Sequence, residues 1–245
     1  MIGQNRLKEF AKLKLQKYRI AEGKFLLEGE KLVLEGISIL KNWEWEAVLG
    51  DSSAKLDPAI QDHPQFFSVS AKELGRISTQ KNPDKVIAIL KKQEVESVQD
   101  PKVNWFMFLD GVQDPGNVGA IYRIAEWFGF KGLVLSEGTP DPFNPKVIRG
   151  SMGASLRLKS ISEDQFFKDF LLEYPLAVAD MAGEDMSKTI LPKRGTLVLG
   201  AEGPGVSPAL RQRAEMCFSI PKLGDGESLN VAVAAGIFAY ELARG

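Results

Sequence analysis

Thr196-Leu-Val-Leu-Gly200-Ala-Glu202-Gly-Pro-Gly205, followed by Met216-Cys-Phe-Ser-Ile220-Pro-Lys-Leu-Gly-Asp-Gly-Glu-Ser228-Leu-Asn230, decides the fold. Each half is an apolar strand that runs into a Gly-rich loop. Loops of that kind at strand ends are where an α/β sheet binds its ligands. Glycine lets the backbone approach a ligand and leaves N–H and C=O groups to recognise it. The second loop opens onto Val231-Ala-Val-Ala-Ala-Gly-Ile-Phe-Ala239, and Ser228 and Asn230 are each able to cap that helix. From Val231 to Ala239 the helix is apolar on every side, so it is expected to be covered all round, within its domain or by a second subunit. It is too short to span a membrane.

Upstream, Trp105-Phe-Met-Phe-Leu109 is apolar enough for a central buried strand. It leads through Asp110-Gly-Val-Gln-Asp-Pro-Gly116 to Asn117, read as the N-cap of a helix over 118–128 that Gly129 stops. Val118, Ile121, Ala125 and Phe128 share one face of that helix, and Arg123 points away beside Gly119 and Ala120. Geometry alone leaves two readings of Arg123: a solvated surface group, or a guanidinium that another surface approaches. Strands over 133–135 and 176–179 alternate with helices over 146–155 and 162–173. Ser207-Pro208 pairs an N-cap with proline at the first helical position. This alternation predicts a mostly parallel sheet covered on both faces.

The first 90 residues repeat the rhythm on a smaller scale. Short strands over 25–27, 46–49, 66–69 and 86–90 are separated by helices over 31–40 and 52–60 and by one opened by the capping box Ser70-Ala-Lys-Glu73. A helix over 4–20 carries Arg6, Lys8, Lys12, Lys14, Lys17 and Arg19, and Lys24 and Lys31 extend the most basic stretch of the chain. It reads either as a solvated face or as a phosphate-contact surface. Residues 93–103, polar and apolar-poor, form the expected linker between an α/β domain over 1–92 and another over 104–245.

At 245 residues the chain is long enough for two cores, and its net charge of −1 supplies no global field for nucleic acid. No run of 18 apolar residues and no signal peptide is present, so the expected location is the cytoplasm, without membrane attachment. One cysteine, Cys217, and one histidine, His63, leave Cys/His zinc sites and Ser-His-Asp triads without partners. Cys217 reads as a small buried hydrophobe and His63 as a turn residue. No metal is expected, and any catalysis falls to Arg, Asn, Ser, Glu, Asp, Lys or backbone groups.

Three segments together resemble the SpoU family of RNA ribose methyltransferases in the trefoil-knotted methyltransferase superfamily. They are Asp114-Pro-Gly-Asn117-Val-Gly-Ala-Ile-Tyr-Arg123, Leu197-Val-Leu-Gly200-Ala-Glu202-Gly-Pro-Gly205, and Ile220-Pro through Glu227-Ser228-Leu229-Asn230-Val-Ala. The N-terminal stretch with Lys24-Phe-Leu-Leu-Glu28-Gly29 resembles, more weakly, the RNA-binding module of members that act on large-subunit ribosomal RNA. The resemblance implies a C-terminal segment threaded through a loop as a knot, which no periodicity predicts. It also implies a homodimer with its sites at the interface, and S-adenosylmethionine as methyl donor. Leu199, Gly200, Gly203, Gly205, Ile220 and Leu229 would hold that donor. Arg123, Asn117, Glu202, Ser228 and Asn230 match the catalytic positions. Arg6, Lys12, Arg19 and Lys24 are the expected RNA contacts. The implied reaction is methyl transfer to a ribose 2′-hydroxyl, with ribosomal RNA favoured over transfer RNA as substrate. Chemistry through a cysteine nucleophile at a pyrimidine base is disfavoured. Two rivals stay open at this point: an RNA-binding protein of the same fold without activity, and an α/β nucleotide-binding enzyme. The second lacks both the GxxxxGK[ST] loop and a strand-linked GxGxxG.

Overall fold

A computed structural model describes residues 2–93, 95 and 101–244. Of the expected linker, residues 94 and 96–100 lie outside the described residues. Two compact units emerge: Met1–Glu94 with Phe143–Gly153, and Val95–Pro142 with Ala154–Gly245.

In the first unit the strands are β1 (Lys24–Glu28), β2 (Trp45–Asp51), β3 (Phe66–Val69) and β4 (Val86–Lys91). They form one sheet in the order β1-β4-β2-β3, with β4 antiparallel to both neighbours and β2 parallel to β3. Helices α1 (Gln4–Lys12), α2 (Gln16–Glu22), α3 (Glu30–Ile39), α4 (Pro58–Gln61) and α5 (Ala71–Ile77) accompany it. The core joins Leu7, Phe10 and Leu13 to Leu26, Ile87 and Ile89. The capping box at Ser70 forms as predicted, with Glu73 reaching back to the Ser70 N–H.

Two expectations for this unit need correction. The helix expected over 4–20 is two helices, because Leu13 turns inward and the chain breaks before Gln16. The helix expected over 52–60 is a single turn that begins only at Pro58, where Asp57 accepts the Ala59 N–H. Before it, Asp51 draws the Ser53 N–H and hydroxyl into a turn that competes with helix.

The second unit holds β5 (Val103–Asp110), β6 (Phe130–Leu135), β7 (Ser160–Ser162), β8 (Leu176–Asp185), β9 (Gly195–Gly200) and β10 (Met216–Ser219). Their order is β10-β8-β9-β5-β6-β7, and every pair is parallel. The helices of this part of the chain are α6 (Pro115–Phe128), α8 (Glu163–Asp169), α9 (Pro208–Arg213) and α10 (Val231–Arg244), while α7 (Pro145–Gly150) groups with the first unit. Side chains alternate across β5. Phe106 and Phe108 enter an aromatic core with Phe166, Phe170 and Tyr174, where edge-on ring pairs lie 5.1–5.9 Å apart. The opposite face of the sheet carries α6 and α10, which also pack on each other. The mixed α/β architecture with a six-stranded parallel sheet follows the predicted class. Edge strand β7 had no counterpart in the sequence reading, being only three residues long.

Candidate active site

A parallel sheet brings the C-terminal ends of all its strands to one side, so the loops after β5, β9 and β10 open onto the same region. Asp110 and Gly200, the last residues of β5 and β9, pair directly. The Asp110 carboxylate accepts the Ser207 N–H at 2.6 Å, which ties the first loop to the segment leaving the second. Ser136 buttresses the same end by accepting the Gly111 N–H at 2.8 Å.

Helix α6 starts three residues earlier than the sequence suggests. Asp114, not Asn117, is its N-cap and accepts the Asn117 N–H at 2.9 Å, with Pro115 at the first helical position. With Asp114 as the cap, the Asn117 carboxamide is left unused by the helix. Its Nδ2 donates to Glu202 Oε1, and its Oδ1 accepts from Asn230 Nδ2 at 3.1 Å. One amide therefore joins residues of all three loops.

Asn230 is fixed from its other side. Its Oδ1 accepts the Ala232 and Val233 N–H groups at 2.9 and 3.3 Å, so Asn230 is the residue that caps α10. Ser228, the other candidate cap, is exposed and makes no hydrogen bond among the described residues. Arg123 is exposed on α6 and has no hydrogen-bond or ion-pair partner among the described residues. It stands apart from the Asn117–Glu202–Asn230 link.

The loop after β9 is a tight turn in which the Gly205 N–H bonds the Ala201 carbonyl at 2.9 Å. Gly203 and Gly205 both take positive φ, +90° and +70°, a region that strains any residue with a Cβ. A Cβ on Gly200 would collide with the Gly205 and Val206 backbone. Arg211 of α9, which the sequence did not single out, holds this turn from outside. Its Nε donates to the Val206 carbonyl at 2.9 Å, and its Nη2 pairs with Asp180. The Ala182 N–H, first, and then Arg211 hold the Asp180 carboxyl below the usual aspartate range. Burial pushes the neighbouring Cys217 thiol up, away from nucleophilic thiolate character.

Of the expected donor-binding residues, Leu199 is buried under the sheet end, and Gly200, Gly205 and Ile220 are half-buried. Gly203 and Leu229 are exposed. From Pro221 to Leu229 no backbone N–H or C=O pairs with another backbone group among the described residues. These main-chain groups are exposed, and a Cβ added at Gly203 would meet nothing within 4 Å. Among the described residues no group of three His, Cys, Asp or Glu side chains is placed to hold a metal ion, and no helix is long and apolar enough to cross a membrane.

The expected RNA contacts on the first unit divide. Lys12 is exposed. Arg6 and Lys24 both pair with Glu46, at 3.3 and 2.8 Å. Arg19 requires correction: at 1% exposure it is a core residue, its guanidinium donating to main-chain carbonyls, and it presents no charge to a ligand.

A parallel sheet with three loops drawn together at its strand ends is an α/β domain of the kind that binds ligands at that end. More particularly, the chain belongs to the SpoU rRNA methylase family, whose model matches residues 104–240. A second model, an MRM3-like substrate binding domain, matches residues 4–88. Over 246 residues, 97% of this chain and 95% of the relative, it is 28% identical to the 23S rRNA (guanosine(2553)-2′-O)-methyltransferase RlmP of Bacillus subtilis. A solved TrmH-family protein from Porphyromonas gingivalis is 32% identical and superposes with a TM-score of 0.82, covering 100% of this chain and 99% of that one. The SpoU methyltransferase AviRb of Streptomyces viridochromogenes, solved in complex with AdoMet, shares the fold at 22% identity. Its TM-score is 0.85, over 99% and 98% of the two chains.

Proposed function

We propose that the protein transfers a methyl group from S-adenosylmethionine to a ribose 2′-hydroxyl of large-subunit ribosomal RNA. In this reading residues 1–92 engage the RNA and residues 104–245 carry the chemistry. The observation that carries it is the Asn117 amide, which joins Glu202 and Asn230 and so draws three sequence-distant motifs into one constellation. The 28% identity to RlmP over nearly the whole of both chains supports the ribosomal substrate.

Bound S-adenosylmethionine supplies an already electrophilic sulfonium methyl, so the protein's task is alignment and the handling of charge on the attacking oxygen. The left-handed glycines Gly203 and Gly205 and the unpaired main chain of 221–229 support recognition of the donor through backbone groups. Gly200, packed against the Gly205 and Val206 backbone, keeps the turn after β9 tight at the strand end. Asn117, Glu202 and Asn230 keep the three loops in one register, and Ser228, exposed two residues before Asn230, is open to a substrate contact.

Arg123 carries the charge. A guanidinium is a standing cation with five N–H donors and no acceptor, so its role is to stabilise the developing alkoxide and an adjacent phosphate. Six residues beyond Asn117, it lies about 9 Å further along the helix and on another face. That separation supports a homodimer in which Arg123 completes the partner's site. The uncovered apolar side chains Trp127, Val233 and Ile237 on α6 and α10 support the same assembly.

The test is methyl transfer from labelled S-adenosylmethionine to unmodified 23S rRNA transcribed in vitro, with ribose methylation mapped at nucleotide resolution. A single ribose-methylated position, lost with Asn117→Ala, is expected. Label on a base, or none under conditions where the protein is folded, overturns the reading.

A further inference from the structure

From Phe10 to Ala21 the sequence carries Lys12, Lys14, Lys17 and Arg19 and no acidic residue. Like charges this close on short helices repel one another. The structure gives the four cations two different tasks.

Arg19 is buried, and its Nη1 donates to the carbonyls of Leu13 at 3.1 Å and Lys14 at 2.9 Å. Those carbonyls follow directly on the end of α1, where helix C-terminal oxygens lack intrahelical donors and favour a cation. The Leu15 N–H bonds the Lys12 carbonyl at 3.0 Å and the Arg19 N–H bonds the Leu15 carbonyl at 3.2 Å, so α1, the turn and α2 are tied through one buried guanidinium.

The three lysines stay at the surface. Lys12 and Lys17 are exposed and Lys14 is half-buried, and none has a carboxylate within ion-pair distance among the described residues. Lys12 Nζ and Lys17 Nζ lie over the same ring, that of Tyr18, at 5.6 and 5.0 Å from its centroid. The nearest acidic residues in sequence, Glu9 and Glu22, are exposed and pair with none of the three. Arg6 and Lys24, by contrast, are already matched to Glu46.

We infer that the α1–α2 turn is the RNA backbone contact of the first unit. Lys12, Lys14 and Lys17 take phosphates, Tyr18 offers a stacking surface, and Arg19 is a positioning residue that fixes the turn from beneath. Two ammonium groups over an aromatic ring, with a third lysine in the same turn, fit a nucleotide chain better than an acidic peptide, which offers charge but nothing to stack. The inference rests on the proposed function in taking RNA as the polyanion.

Its test uses the full chain and the 23S rRNA transcript. Binding is measured between about 50 and 200 mM salt, alongside calorimetry with S-adenosylmethionine. Each phosphate contact contributes roughly 0.7–0.9 to the slope of log K against log salt, so the triple Lys12→Ala, Lys14→Ala, Lys17→Ala variant is expected to lose about 2–3 of that slope. Its donor affinity and Tm are expected to stay unchanged, and the corresponding triple Lys→Arg variant to restore binding. Tyr18→Ala is expected to weaken binding roughly tenfold with little change in slope. Arg19→Lys keeps the charge, but its shorter side chain carries the donor nitrogen one bond short of the Nη1 position that meets both carbonyls. It is expected to weaken RNA binding and to speed hydrogen exchange at residues 13–15, a readout that a direct phosphate contact would not move.

A triple variant that binds and is salt-sensitive like the wild type overturns the inference and leaves the proposed function standing. Competition by poly-glutamate as effective as that by RNA of equal charge overturns it in favour of an unspecific anion surface. A wild-type protein that neither binds nor methylates the transcript sinks both readings together.

Discussion

Arg123 has no partner among the described residues, yet it stands beside the small residues Gly119 and Ala120 on a helix whose other side is core. The proposed role needs a planar fork able to hold an alkoxide and a phosphate at once, which lysine lacks. Arg123→Lys is therefore expected to lower single-turnover methyl transfer about 10²–10³-fold, the loss typical of one preorganised donor, with RNA affinity little changed. Near-full turnover would remove the role. Asp180 makes a second residue-scale prediction. The Ala182 N–H and Arg211 depress its pKa in the folded state, so it contributes stability above the ordinary aspartate value of 3.8 that is lost as pH falls through the folded value. Asp180→Asn should flatten the acid limb of a stability–pH curve from urea unfolding and leave the neutral region nearly parallel to wild type. At this scale the sequence brought out Asn117, Glu202 and Asn230, which the structure joins, but not how they meet. Asn117 reads as a helix cap because asparagine favours that position; Asp114 three residues earlier takes the cap, a competition between two good candidates that propensity does not resolve. Arg19 reads as surface because arginine is seldom fully buried, and only the path of the chain around Leu13 supplies the carbonyls that satisfy it.

Helix α10 shows what periodicity does and does not disclose. An apolar run with no polar stripe predicts cover on every side, and Val231, Ala232, Ala235, Phe238, Ala239 and Leu242 are indeed buried by the chain itself. Val233 at 52%, Ile237 at 38% and Tyr240 at 50% exposure are not. Trp127, one turn beyond Arg123 on the neighbouring α6, is 83% exposed. An apolar face of this kind beside a helix that the fold already covers is the usual mark of a protein interface. Ile237→Asp places a charge on that face without touching the core. It is expected to shift the protein to a monomer in sedimentation, to reduce methyl transfer, and to leave the circular dichroism of the folded chain intact. A dimer of unchanged affinity would separate α10 from the interface. The strands were legible in order because apolar runs bounded by glycine and proline mark them even without knowledge of their partners. Their neighbours were not. The order β10-β8-β9-β5-β6-β7 depends on long crossovers, and the three-residue β7 is too short to leave a pattern.

At the scale of the whole molecule, the two proposals about Arg123 and about α10 make one joint demand. Asn117, Glu202 and Asn230 are joined within a single chain, whereas Arg123 turns away from them. If the arginine serves the partner's site, the two halves of the machinery can be damaged in different chains and recovered together. Arg123→Ala and Asn230→Ala are each expected to be inactive alone. Dissociated and mixed in equal amounts, they form mixed dimers in half of the population. In each mixed dimer one of the two sites receives an intact arginine from one chain and an intact Asn117–Glu202–Asn230 link from the other. Random reassortment of a two-fold dimer therefore returns roughly one quarter of wild-type activity, a half of the dimers with a half of their sites. If Arg123 acts within its own chain, every site in the mixture keeps one lesion and no activity returns. The measurement needs only methyl transfer by the mixture against the unmixed variants. The Ile237→Asp change added to both chains should abolish the recovery, because it removes the contact through which the arginine is delivered.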